Sequence, residues 1–118
     1  MYFVGGAEWR FDVWAHNAEY QTNFYKNNPA LKGSVVVHHA IEQQILKLYP
    51  RLFTKAELDA IKNLRGVPKE LNSELHLSFI RRAWNRFYSN YPNASRADIE
   101  QYASILDSFV GSLFNPPV

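Results

Sequence analysis

Apolar positions recur along the chain with helical and strand-like periods in turn, and the changes between them mark its elements. From about Ala7 to Lys26, the positions Trp9, Val13, Trp14, Ala18, Phe24 and Tyr25 approximate a helical stripe. Met1 to Gly6 before it is a short apolar start broken by Gly5-Gly6. Asn27-Asn28-Pro29 stops the helix, and Gly33-Ser34 leads into Val35-Val36-Val37, a β-branched run that suits a buried strand better than a helix. Ile41, Ile45 and Tyr49, with Leu46 and Leu48, predict a helix ending at Pro50. Thr54-Lys55-Ala56-Glu57 has the form of a capping box opening a further short helix, with Leu58 and Ile61 inward. Gly66 and Pro68 interrupt any continuation of that helix, so Leu64 to Val67 reads as a second short strand and Pro68 as the first residue of the next helix.

That next helix is the longest signal in the chain. Asn72, His76, Ile80, Ala83 or Trp84, Phe87 and Tyr91 recur at helical spacing, and Tyr91-Pro92-Asn93 closes it. Ser95-Arg96-Ala97-Asp98 resembles a second capping box, and Ile99, Tyr102, Ala103, Leu106, Phe109 and Leu113 form the stripe of a last helix before a stiff Asn115-Pro116-Pro117-Val118 tail. The expected fold is α+β and mostly helical: two short strands and a long helix surrounded by additional helices. One domain is expected over 1–118, with a helical part at 1–34, a central region at 35–91 holding a helical insertion at 40–62, and a closing helix and tail at 92–118.

Composition adds exclusions. The chain has no cysteine, which rules out thiol catalysis and leaves any metal site to His, Asn or carboxylate ligands. No stretch reaches the roughly 20 apolar residues of a membrane span, and no basic region followed by an apolar run opens the chain. The net charge of +2 conceals an uneven distribution. From Lys47 to Arg86 nine basic residues face four acidic ones, a balance of +5, while the remainder carries four basic and seven acidic residues, or −3. Such a concentration favours a polyanionic ligand, although a solvated helix face also carries charge runs.

Candidate chemistry centres on histidine. Asn72 and His76 lie four apart, so on a helix they project from one face and can share one ion. His38 or His39, at the end of a strand, is the natural third ligand, and successive strand side chains cannot both meet the same ion. Three protein ligands with open positions form the pattern of a catalytic ion. Each residue also has an ordinary structural use: Asn72 as a helix cap, His76 as a core-edge histidine, Asn63 at a helix C-terminus. His16 falls off its stripe and reads as a surface or capping histidine.

The order strand, His-His, a second strand opened by Asn, then a ligand-bearing helix resembles the HNH, or ββα-metal, nuclease superfamily. In its bacterial DNase toxins the central Asn precedes metal-binding residues by nine and thirteen positions, as Asn63 precedes Asn72 and His76. The segments HH-x-I-E-Q-Q, N-L-R-G-V-P, N-S-E-L-H-L-S, W-N-R-F-Y and N-P-P are similar to C-terminal toxin domains of Rhs and contact-dependent inhibition proteins, over about Val35 to Val118. The resemblance implies a small ββα-metal core and a metal-dependent endonuclease acting on DNA. In it His38, Asn72 and His76 hold the ion, His39 is the general base, and Asn63 fixes the His39 imidazole. Asn72 stands where the family usually has His, and an amide oxygen favours Mg²⁺ or Mn²⁺ over Zn²⁺. Arg65, Lys69, Arg81, Arg82 and Arg86 are the expected phosphate contacts. The resemblance further implies an antibacterial toxin delivered into the target-cell cytoplasm and a cognate immunity protein with an acidic surface. Alternatives on the same residues are an RNase using a 2′-hydroxyl nucleophile and a non-catalytic basic module that binds nucleic acid.

Overall fold

The computed structural model describes residues 19–118. Most of the expected N-terminal stripe, from Trp9 to Ala18, and His16 lie outside the described residues, which begin in a helix, α1, at 19–27.

Both β-branched and extended runs become strands. β1 (Val35–His39) and β2 (Leu64–Pro68) form a two-stranded antiparallel sheet. Its register pairs Val35 with Pro68, Val37 with Gly66 and His39 with Leu64 on one face, and Val36 with Val67 and His38 with Arg65 on the other. Each face meets its own apolar cluster. Tyr20 and Phe24 from α1 pack with Val35, Val37 and Leu64, whereas Val67 joins the larger cluster around Ile45, Leu58, Leu75, Trp84 and Ile99. The consecutive histidines are therefore directed to opposite sides of the sheet.

Between the strands, α2 (Ile45–Leu48) and α3 (Lys55–Leu58) are single turns. The helix expected from Ile41 starts late because Asn63 takes its backbone: Ile41 N donates to Asn63 Oδ1 at 2.8 Å, and Asn63 Nδ2 donates to Ile41 O at 3.1 Å. The Thr54–Glu57 capping box forms as the sequence predicts. Pro68 differs from expectation, ending β2 instead of opening a helix.

A 3₁₀ turn at Lys69–Leu71 leads into a π-helical run, Asn72–Ile80, which continues as α4 (Arg81–Asn90). The wide turn has a packing cause. The residues that this run buries are Leu75 and Ile80, five apart, a spacing that an i→i+5 turn sets on one side and a 3.6-residue turn does not. From Ile80 the buried series continues through Trp84 and Phe87 at ordinary α spacing. α5 (Arg96–Val110) opens with the Ser95–Asp98 capping box and buries Ile99, Ala103, Leu106 and Val110. Another 3₁₀ turn, Gly111–Leu113, sends the tail back to the sheet, where Asn115 N donates to Gly66 O at 2.8 Å. A side chain at Gly66 would collide with the backbone oxygen of Asn115.

The coarse expectation of a mostly helical α+β fold is met, with strand, strand and long helix in the expected order. The finer expectation, a metal core at their meeting point, is overturned by the side chains gathered there.

Candidate functional site

The end of β1, the loop after it and the helix after β2 enclose a cleft of about 240 Å³. His38 (5% exposed) points toward the helix, its ring centroid 4.4 Å from that of His76 and 6.3 Å from that of Phe114. His39, on the opposite face, meets Tyr20 edge-on at 4.3 Å. Its Nε2 donates to Asp59 Oδ1 at 2.9 Å, and Lys55 pairs with the other oxygen of that carboxylate. Both histidines reach the cleft because they end the strand.

Asn63 does not hold His39. Its amide bridges the loop, binding Ile41 on both backbone groups and donating to Leu58 O at 2.8 Å. The expected positioning of His39 by Asn63 is therefore corrected: Asp59 makes that contact, because the buried backbone around Ile41 and Leu58 needs the amide. On the helix side His76 Nδ1 donates to Asn72 Oδ1 at 3.2 Å. One turn on, Arg81 Nη2 donates to Glu42 Oε1 at 2.6 Å, and the Tyr88 hydroxyl donates to the same oxygen at 2.6 Å. Arg81 Nε is directed to Asn85.

These contacts set the electrostatics. Burial holds the His38 imidazole well below its usual range, and His76, His39, Arg65 and Arg81 push the same way. His76 is lowered by burial and by Arg81. His39 is lowered by burial, against the upward pull of its bond to Asp59. Burial acts to raise Asp59, but its bonds to Lys55 and His39 outweigh that and keep the carboxyl below its usual range. Burial pushes Glu42 up, opposed by Tyr88 and Arg81. The Tyr88 phenol is raised by burial and by the Glu42 charge, so it stays protonated as a donor.

Among the described residues no group of three or more His, Cys, Asp or Glu side chains could hold a metal ion. This overturns the expected divalent Mg²⁺, Mn²⁺ or Zn²⁺ ion, although the fold does bring His38 against His76 and His76 against Asn72. The physical reason lies in the neighbours. His76 and Asn72 are bonded to each other, the nearest carboxylate, Glu42, is engaged by Arg81 and Tyr88, and the guanidinium places a fixed positive charge at the cleft. With the ion fall the ββα-metal resemblance, the HNH-type endonuclease activity on DNA, the RNase toxin expected as an alternative on the same fold, and the antibacterial toxin reading that rested on them.

The expected phosphate contacts divide. Arg65 is engaged within the fold, its Nη2 donating to Asp107 Oδ2 at 2.7 Å and its Nη1 to Lys62 O at 2.7 Å. Arg81 lines the cleft. Lys69, Arg82 and Arg86 are exposed and make no ion pair among the described residues. Sequence reasoning missed Tyr20, Glu42, Asp59 and Tyr88. Only Asp59 left a signal, lying four residues after Lys55 at the end of a capped turn. A second cleft, of about 260 Å³, lies between α3 and α5, and its charged rim is paired within itself, Arg96 with Glu57 and Glu100, and Arg65 with Asp107. No helix of the described residues is long and apolar enough to cross a membrane. In comparisons with known proteins, no family model, curated protein or solved structure matches the chain.

Proposed function

We propose that the protein is a nucleic-acid-binding module whose phosphate contacts gather around the histidine cleft and require no metal ion. The observation that carries this is Arg81, a guanidinium fixed at the cleft by Glu42 with further N–H donors to offer, set among imidazoles. The surrounding charge agrees. Of the nine basic residues between Lys47 and Arg86, Lys47, Arg51, Lys62, Lys69, Arg82 and Arg86 are exposed and outside ion pairs among the described residues. Arg82 and Arg86 lie four apart, one turn of α4, and can follow a strand of phosphates from Arg81 outward. An acidic partner protein would compete for the same surface.

The test is fluorescence anisotropy with labelled DNA and RNA oligonucleotides in EDTA, over a series of salt concentrations. Affinity is expected to fall steeply with salt, and the Arg82→Ala/Arg86→Ala double variant should flatten that dependence by up to about two phosphate contacts. Absence of binding by the folded protein at low salt overturns the reading.

A further inference from the structure

Four polar side chains of the cleft, His39, Glu42, His76 and Arg81, are engaged in hydrogen bonds. Glu42 binds Arg81 and Tyr88, His39 binds Asp59, and His76 binds Asn72. Gln43 and Gln44 are the contrast: both line the cleft, and neither side-chain amide has a hydrogen-bond partner among the described residues. A glutamine amide presents a donor beside an acceptor, which matches the paired donor and acceptor along the edge of a nucleobase. The other conspicuous feature of the lining is aromatic. Tyr20, His38, His39 and His76 all contribute rings.

Building on the nucleic-acid reading, we infer that the cleft takes one unstacked base of a single strand and reads its edge with Gln43 and Gln44. Shape supports the single strand. A duplex displays base edges at the floor of a groove roughly 8.5 Å deep, which a projecting helix or ribbon reaches and a recess cannot. A recess suits a base that has left its stack, packed against aromatic rings and bonded along its edge. The two kinds of contact also fall to different residue types on this chain. Arg81, Arg82 and Arg86 follow the backbone, which carries no sequence information, and the two glutamines supply the discrimination.

The experiment compares single-stranded homopolymers of each base with a hairpin duplex of equal charge, in EDTA, for the native protein, Gln43→Ala, Gln44→Ala and the double glutamine variant. Gln44 is exposed and Gln43 half-buried, and their structural hydrogen bonds run through the backbone alone, so these variants fold. Single strands are expected to bind on the order of tenfold more tightly than the duplex, and one base more tightly than the others. The double glutamine variant should lose that base preference by on the order of tenfold while keeping the native salt dependence. Equal binding of single strand and duplex, or a glutamine variant that weakens every sequence alike, overturns the inference and leaves phosphate binding standing. No binding of any nucleic acid overturns the underlying reading as well.

Discussion

Asp59 shows how a residue invisible in a sequence pattern can govern its neighbour. Its carboxylate is bonded by Lys55 on one side and His39 on the other, 20 residues away, and only the antiparallel return of the chain brings them together. Because Asp59 pulls the His39 imidazole up against burial, Asp59→Asn should move the His39 titration, followed by its ring proton resonances, to lower pH. An unchanged midpoint would mean the bond has no electrostatic effect. Legibility at this scale was uneven. The opposed directions of His38 and His39 were readable from strand alternation, and both residues do end β1. The partner of His39 was not: Asn63 was expected there only from the resemblance, and Asp59 makes the contact. The buried Ile41 backbone, which claims Asn63, becomes visible only in three dimensions.

Local chemistry announced the elements wherever it was self-contained. Both capping boxes form, because each needs only four consecutive residues. Ser95 caps α5, the longest α-helix described, and Ser95→Ala should lower stability by about 1 kcal/mol in a urea titration, with Thr54→Ala costing a comparable amount. A loss indistinguishable from zero in both would show that tertiary packing alone fixes these ends. The shortfalls arise where distant residues intervene. α2 begins four residues later than its apolar spacing predicts, because a side chain from just before the next strand occupies the backbone of Ile41. The run from Asn72 to Ile80 has a helical sequence but takes a wider turn to bury Leu75 and Ile80 together. That choice leaves Asn72 and His76 half-buried beside the cleft instead of in the apolar stripe they extend in sequence.

Across the whole molecule, the histidine cleft ties stability to pH. His38, His39 and His76 all have imidazoles lowered in the folded state, chiefly by burial, so the unfolded chain binds more protons below the free imidazole value of about 6.5. Their contribution to stability is therefore complete above that pH and is lost as pH falls below it. Glu42, raised by burial, acts in the opposite direction on the acid side, one group against three. The urea midpoint should be lower at pH 5.5 than at pH 7.5, and an equal or higher midpoint at pH 5.5 would contradict this balance. The +5 segment was legible from composition, and six of its nine basic residues are exposed and unpaired among the described residues. Which cations the fold would consume was not legible, because the carboxylates that take Arg65 and Arg81, Asp107 and Glu42, lie 42 and 39 residues away.

The contact between Gly66 and the tail bears on chain-end engineering and on how such a sequence can drift. Asn115 lies against the one position of β2 that has no side chain, and Gly66 O accepts its N–H. Beside it in β2, Arg65 is opposed to His38. The tail is thus a third layer on the strand pair, and a fusion joined directly after Phe114 would strip it from the sheet beneath the cleft. Gly66 can change only with the path of the tail: a larger residue in the strand must be matched by a rerouted backbone at Asn115, so mutational tolerance at position 66 measures how firmly the last four residues are held.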